Sequence, residues 1–354
     1  MSNSSSIIEY TPEGAVVISY QSLVTSPETL GPAIEKAFGS DPTCLGIIIV
    51  RDLPAEYPKY RECLLKLAYH FGHLDEAIRE SYSNKTSNYS FGWSHGKEIM
   101  NGKPDTLKGS FYANPIIEDI TVPLEERTKF PEYYGQNIWP KTEKGVEEFE
   151  QAFKDLSRLI FKVGCELAIA CQPFASLHFA DSTLSLADLI RDSQTTKARL
   201  LHYFPPSLDG ILPSEDDPVD SWCGFHLDHS LLTGLCSAMF LRRLSNGQPE
   251  VVANPSPTSG LYIRTRGGRL IKVSIPPHCL AFQTGEALEI ATNGRLLATP
   301  HCVRVGAFDS ADEISRESFA LFMQPNTYQY LSGDTTFGQF SQKIFAEHYE
   351  ANDA

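Results

Sequence analysis

Apolar residues recur at three- and four-residue spacing in several stretches of the chain, which is the pattern of a helix with one face on a core. The longest stretch runs from about residue 146 to 171, and shorter ones lie at about 26–38, 58–70 and 337–349. The run at 45–50 (Leu-Gly-Ile-Ile-Ile-Val) is short, apolar and rich in β-branched residues, which favours a buried strand. Helices at both ends of the chain and at least one early strand are therefore predicted.

From about residue 197 the pattern changes to short β-like runs separated by Gly, Pro and Asn. Many short strands with regular turn signals are typical of a sandwich or jelly roll. The candidate strands are Ala198–Phe204, Gly224–His226, Leu232–Leu241, Leu261–Thr265, Leu270–Ile275, Cys279–Gln283, Ala287–Ala291, Cys302–Val305 and Ser318–Gln324.

These patterns predict a mostly β protein with flanking helices. We expect a catalytic β-domain at 197–330, preceded by a mixed α/β region at 1–196 that packs on it and followed by a C-terminal helix at 331–354. Within the first region, residues 81–140 show weak periodicity and many Ser, Asn, Gly, Pro and aromatic residues. Long loops are predicted there, and long ordered loops are often functional.

Composition narrows the classes of partner. The net charge of −14 argues against nucleic acid and against an anionic membrane surface, because both attract clustered Lys and Arg. No run of about 18 apolar residues is present. We expect no signal or transit segment, and we expect the eight cysteines to be free thiols. We expect a cytoplasmic protein whose partner is a small-molecule substrate; the sequence says nothing of its oligomeric state.

Two imidazoles and one carboxylate form the central chemical pattern. His226 and Asp228 are two residues apart in a predicted strand, so both side chains can reach one ion. His301, from a distant strand, would complete a facial set of two histidines and one carboxylate, which leaves other metal positions open for co-substrate and dioxygen. Nitrogen and oxygen ligands without thiolate suit Fe(II), although Mn, Co or Ni could occupy the same site.

A second His-x-Asp triplet occurs in the chain, and we do not predict a metal site there. His73 and Asp75 lie in or beside a helical stretch, where residues two apart do not share a face, so we interpret that pair as structural. His229 directly follows Asp228 and should point to the other side of the strand, where it is a candidate to line the approach to the site.

Further motifs follow one another in order around this pattern. They are Tyr203-Phe204-Pro205-Pro206, His226-Leu227-Asp228 with Leu232-Thr233, Gly285-Glu286-Ala287-Leu288, Thr292-Asn293-Gly294, His301-Cys302-Val303 and Arg316-Glu317-Ser318. In this order, residues 197–325 resemble the C-terminal domain of the plant and fungal 2-oxoglutarate/Fe(II) dioxygenases, the group that includes gibberellin oxidases, flavonoid oxygenases and isopenicillin N synthase.

The resemblance implies a fold, cofactors and roles. The fold would be a double-stranded β-helix, or jelly roll, wrapped by N- and C-terminal helices, and the cofactors would be Fe(II), 2-oxoglutarate and dioxygen. Arg316 would pair in bidentate fashion with the distal carboxylate of 2-oxoglutarate, and Ser318 would donate a hydrogen bond to it. A small organic metabolite would be hydroxylated, desaturated or cyclised while 2-oxoglutarate is converted to succinate.

One departure from the family pattern keeps alternatives open. Many relatives carry Asn-x-Tyr before the two prolines, and here Phe204 takes the Tyr position. A lost hydrogen bond to a charged group costs about 1.5–3 kcal/mol, which His202 or Tyr203 could restore. The alternatives are an oxidase that works without 2-oxoglutarate, as isopenicillin N synthase does, a non-catalytic small-ligand-binding module, and an enzyme that hydroxylates a protein side chain.

Two loop segments are candidates for the substrate pocket. Trp93 and His95 lie in one, and Phe111 and Tyr112 lie in the other, each beside Gly and polar residues. This mixture is expected of a pocket wall or lid, and equally of a surface loop packed by its own aromatics.

Overall fold

Helices flank a strand-rich core in the computed structural model, which describes residues 8–100, 103–175, 185–205, 223–305 and 313–349. Pro206 of the predicted motif lies outside them. The α-helices are α1 (Tyr20–Thr25), α2 (Gly31–Phe38), α3 (Tyr57–Gly72), α4 (Glu76–Ser81), α5 (Leu124–Lys129), α6 (Pro131–Tyr134), α7 (Phe149–Cys171), α8 (Leu186–Arg191), α9 (Glu286–Ala291) and α10 (Phe337–Tyr349). None of the helices in the described ranges is long and apolar enough to cross a bilayer.

The strands alternate with these helices in the first half and dominate the second. They are β1 (Glu9–Tyr10), β2 (Val16–Ser19), β3 (Ile47–Arg51), β4 (Gly92–His95), β5 (Ile99–Met100), β6 (Lys103–Pro104), β7 (Lys108–Ala113), β8 (Lys197–Tyr203), β9 (Cys223–His226), β10 (Leu232–Cys236), β11 (Met239–Arg243), β12 (Pro249–Val252), β13 (Gly260–Arg264), β14 (Leu270–Val273), β15 (Leu280–Thr284), β16 (His301–Arg304), β17 (Ile314–Met323), β18 (Tyr330–Ser332) and β19 (Thr335–Thr336).

Two sheets hold most of these strands. The larger has the order β1-β2-β3-β15-β10-β17-β8-β7-β4, with β11 beside β17 and β12 beside β11, and the smaller has the order β14-β13-β16-β9. The prediction of a mostly β protein with flanking helices is confirmed. Strands from the N-terminal region extend both edges of the large sheet, so hydrogen bonding continues across residue 197. The domain boundaries themselves stay a prediction.

Helix α7 packs closely across the large sheet. Its apolar stripe includes the buried residues Phe153 and Ile160, as the spacing predicts. Two glycines make the close approach possible: a Cβ at Gly164 would lie 2.3 Å from the sulfur of Met323, and one at Gly234 would lie 2.4 Å from a methyl of Ile160. A side chain at either glycine would therefore force the helix away from the sheet.

The two faces of the large sheet differ in character because successive side chains in a strand point to opposite sides. In β17, Phe319, Leu321 and Met323 belong to the core beneath α7. Arg316 and Ser318 face the other way, into a cavity between the sheets.

A buried polar pair lies on the helix side of the same strands. His202 of β8 and Glu317 of β17 are directly opposite each other, with His202 Nδ1 2.9 Å from Glu317 Oε1. The hydroxyl of Ser315 donates to the same carboxylate oxygen over 2.6 Å. Both His202 and Glu317 are almost completely inaccessible to solvent.

Three sequence-based expectations differ from the structure. Within residues 81–140, β4 and β7 form the edge of the large sheet where loops were expected. The predicted strand Ala287–Ala291 is instead part of helix α9, because a short apolar run does not distinguish a strand from a buried helix. The predicted strand Leu232–Leu241 is divided into β10 and β11 by Ser237 and Ala238.

Lys197 is a buried basic residue at the start of β8. Its Nζ donates to the carbonyl of Glu132 and lies 4.6 Å from the centre of the Phe91 ring. Burial lowers the pKa of Lys197 to about 7, and Glu132 only partly opposes this effect. A lysine in the unfolded state has a pKa of about 10.4. Between about pH 7 and pH 10 the unfolded state therefore binds more protons than the folded state, and the free energy of unfolding increases as the pH rises.

Replacing Lys197 with Met should remove this pH dependence. We expect the free energy of unfolding of Lys197→Met to exceed that of the wild type most at about pH 6.5, by a few kcal/mol, with the difference narrowing toward about pH 10. Urea unfolding of both proteins across this range measures it. Parallel curves for the two proteins would show that Lys197 is not desolvated as the structure indicates.

Candidate active site

Three predicted metal ligands meet at one end of the small sheet. His226 ends β9, His301 begins β16, and the two residues are directly paired across these strands. Asp228 Oδ1 lies 3.8 Å from His226 Nε2 and 3.9 Å from His301 Nε2. One ligand atom from each of the three residues lies within 4.8 Å of the others, so a single ion can contact all three.

The backbone fixes the orientation of both imidazoles. His226 Nδ1 lies 2.8 Å from the carbonyl oxygen of Gly224, and His301 Nδ1 lies 2.9 Å from that of Thr299. Since a carbonyl can only accept, each Nδ1 must carry the proton and donate it. In the neutral imidazole, Nε2 therefore carries the lone pair, and this is the form in which histidine binds a metal.

Asp228 supplies the negative charge of the site. The amide of Glu286 donates to its carbonyl over 2.8 Å, and Gly285 packs so closely that a Cβ there would lie 2.7 Å from the same oxygen. Burial raises the pKa of the Asp228 carboxyl, but His301 and His226 outweigh burial and hold it below its usual value. Asp228 Oδ2 is buried and has no hydrogen-bond partner among the described residues. An ionised carboxylate with one oxygen near both Nε2 atoms and the other without a partner fits a divalent cation.

A cavity of about 490 Å³ opens beside these ligands, between the two sheets. Arg316, Ser318 and Tyr203 line it together with the three metal-ligand candidates. Arg316 Nη1 donates to the hydroxyl of Ser318 over 3.3 Å, and the guanidinium lies 4.9 Å from the centre of the Tyr203 ring. Arg316 is 6% exposed, so its charge is directed at the cavity and not at bulk solvent.

Tyr203, and not Phe204, is the residue of this motif that faces the cavity. Tyr203 lies directly opposite Arg316 in the sheet and faces the cavity. Phe204 is outside the cavity lining, and its ring packs 4.5 Å from His202 and 5.3 Å from the Arg79 guanidinium. The strand therefore presents a tyrosine to the cavity one residue earlier than the family pattern suggests.

Trp93 and Phe111, two of the candidates for a pocket wall or a loop packed by its own aromatics, are not among the residues that line the cavity. Both are buried in the core on the helix side, where each ring contacts Phe71. They lie opposite each other in β4 and β7. Because of the two-residue period, their neighbours Ser94 and Ser110 face the opposite side of the sheet.

The remaining substrate candidates are also outside the cavity lining. His95 Nε2 bonds the carbonyl of Thr106 over 2.8 Å, and His229 Nδ1 lies 2.8 Å from Glu286 Oε2. The hydroxyl of Tyr112 donates to Glu98 over 2.7 Å. Each of these three side chains thus bonds another protein group, and none of them lines the cavity.

Arg199 is a cavity residue that the sequence patterns did not single out. It lies on the same face of β8 as Tyr203, and Nη2 is 2.6 Å from Glu98 Oε1. Burial raises the pKa of Glu98, but Arg199 and Lys108 outweigh it and hold the pKa far below its usual value. The signal in the sequence was the alternation itself, since Arg199, Leu201 and Tyr203 are two residues apart.

The second His-x-Asp triplet is structural, as predicted. His73 follows the last residue of α3, with Nδ1 2.8 Å from the carbonyl of Tyr69, and Asp75 precedes α4. The described residues contain one cluster with metal-ligand geometry, and it includes neither of them.

No protein-family model and no curated protein sequence matches this chain. Solved structures do match. A 2OG-Fe(II) oxygenase family protein from Caulobacter crescentus is similar over 96% of this chain and 99% of its own, with a TM-score of 0.66 and 17% identity. A full-length Neurospora crassa protein, crystallised with alpha-KG and thymine, matches over 96% and 100%, with a TM-score of 0.63 and 15% identity. JOX2, crystallised with 2OG, Fe and JA, matches over 97% and 90%, with a TM-score of 0.61 and 16% identity. The expected resemblance to the 2-oxoglutarate/Fe(II) oxygenases is confirmed in the fold.

Asp228→Asn should weaken divalent-metal binding at least about 100-fold, because the amide removes the only negative charge among the three ligand candidates. Isothermal titration with Mn(II) under identical buffer conditions measures the change. His229→Ala is the matched control, since it removes the neighbouring side chain that bonds Glu286, and it should keep the wild-type affinity within about twofold. Equal affinity in Asp228→Asn and wild type would place the metal elsewhere.

Proposed function

We propose that this protein is an Fe(II)- and 2-oxoglutarate-dependent oxygenase built on a double-stranded β-helix. In the proposed reaction a small organic substrate R–H, 2-oxoglutarate and dioxygen give R–OH, succinate and carbon dioxide. Desaturation or ring closure of the substrate are variants of the same chemistry. The fold shared with structures that contain alpha-KG or 2OG supports this reaction class.

One observation carries the proposal: a complete set of metal ligands opens into the same cavity as a buried arginine. His226, His301 and Asp228 converge on one point, and Arg316 and Ser318 line the wall beside them. An acid with a carboxylate at each end can bridge such a pair of sites, with one end at the metal and the other at the guanidinium.

The metal-ligand candidates and the polar residues of the cavity wall have separate roles in this proposal. His226, Asp228 and His301 would hold Fe(II), which supplies the oxygen chemistry when it is bound. Arg316 would bind the distal carboxylate of 2-oxoglutarate as a planar donor pair, and Ser318 and Tyr203 would add hydroxyl donors. The partly apolar cavity, once filled by its ligands, would keep bulk water from the reacting atoms.

The 2-oxoglutarate-independent oxidase is the less favoured alternative. It depended on Phe204 replacing a tyrosine donor, and Phe204 lies outside the cavity while Tyr203 lies beside Arg316. A purely ligand-binding module is also less favoured, because such a protein gains nothing from three convergent metal ligands. The cavity volume suits a small molecule that shares the space with 2-oxoglutarate.

Anaerobic titration of Fe(II) with and without 2-oxoglutarate tests the proposal. We expect a weak visible charge-transfer band that needs both components, in wild type and not in His226→Ala. Arg316→Met should keep iron binding and shift the 2-oxoglutarate concentration required for the band upward by at least about tenfold. Iron binding without any band would favour the oxidase, and an absence of iron binding would contradict both enzymes.

A further inference from the structure

A second buried arginine reaches the cavity from the helix layer. Arg61 belongs to α3 and is 8% exposed, and it lines the same cavity as Arg316 and Ser318. Its Nε donates to the carbonyl of Ser237 over 2.7 Å, and its Nη2 donates to that of Ala238 over 2.9 Å. These two bonds fix the plane of the guanidinium, and no hydrogen bond from Nη1 is found among the described residues.

An irregularity in the sheet brings Arg61 to this position. Leu235 pairs with Ala320 and Met239 pairs with Glu317, so three residues on the β10–β11 side face two on β17. The extra residue is a bulge, a feature that often occurs next to active sites. Ser237 and Ala238, which anchor Arg61, lie in this bulge, and Ser318 is one of the two residues across from it. The guanidinium is thus held by the segment that lies directly beside Ser318 of the neighbouring strand.

None of the ion pairs in the described ranges includes Arg61. The nearby carboxylate of Glu62 is paired with Lys66, whose Nζ lies 2.6 Å from Glu62 Oε1. Burial raises the pKa of the Cys236 thiol, and Arg61 and Arg316 both act to lower it. A buried cation without a counter-ion is costly, so this end of the cavity favours an anion.

We propose that Arg61 is a second guanidinium for the distal carboxylate of 2-oxoglutarate, binding it from the side opposite Tyr203. The inference rests on the proposed function. Two guanidinium groups at one end would make the site selective for 2-oxo acids that carry a second carboxylate. Arg61 would be a specificity-determining residue, since it acts on the carboxylate remote from the metal.

Binding of two ligands of equal length tests this role without turnover. The Mn(II)-loaded protein is titrated calorimetrically with 2-oxoglutarate and with 2-oxopentanoate, which has five carbons but no distal carboxylate. We expect Arg61→Gln to weaken 2-oxoglutarate at least about tenfold and to change 2-oxopentanoate less than about twofold. Arg266→Gln is the matched control, because Arg266 also donates to backbone carbonyls, those of Gly39, Leu297 and Ala298, yet lies outside the cavity lining. Both ligands should bind it as they bind wild type.

The possible outcomes separate the two proposals. Unchanged 2-oxoglutarate affinity in Arg61→Gln, or equal losses for both ligands, would make Arg61 a structural brace and leave the proposed function intact. Failure of Mn(II)-loaded wild type to bind 2-oxoglutarate would overturn the proposed function and this inference together. If Arg61→Gln does not fold, Arg61→Lys replaces it. The lysine keeps the charge but loses the planar fork, so a loss of about threefold or more for 2-oxoglutarate alone supports the proposal, and wild-type affinity overturns it.

Discussion

The large sheet has an apolar face toward the helices and a polar face toward the cavity, and the two-residue period of its strands separates the two. In β17, Phe319 and Leu321 pack beneath α7, while Arg316 and Ser318 face the cavity. Successive side chains must point to opposite faces, so the apolar contact with α7 also fixes the direction of the polar residues. The polar cavity wall therefore depends on helix packing that takes place on the other side of the sheet.

Main-chain groups fix the metal-ligand geometry in a comparable way. The carbonyls of Gly224 and Thr299 orient the two imidazoles, and the turn at Gly285 braces the backbone of Asp228. A site whose ligands are already oriented loses little conformational freedom when an ion binds. Without an ion, the buried charge of the Asp228 carboxylate lowers the stability of the folded state. An ion that binds the folded state therefore stabilises it.

The sequence predicted what depends on local spacing and missed what depends on contacts between distant segments. The two-residue spacing of His226 and Asp228 follows from the geometry of one strand, and the structure brings both to His301. Arg61 carries no such signal, because its contact with Ser237 joins residues 176 positions apart. The sequence left the role of Trp93 open, because an aromatic beside Gly and Ser has the same composition in a pocket wall and in a core strand. Only the pairing of β4 with β7 shows which side it faces.

The alternation of side chains does not by itself fix the register between β8 and β17, and the His202–Glu317 pair does. A slip of two residues between β8 and β17 would keep every side chain on its proper face, yet it would separate Arg316 from Tyr203. The same slip would place Glu317 opposite Leu200 or Phe204, without an imidazole. Leaving one partner of a buried pair alone costs about 3–5 kcal/mol, even where the intact pair adds little net stability. A buried hydrogen-bonded pair outside the cavity lining thus selects the alignment in which the carboxylate-binding wall is complete.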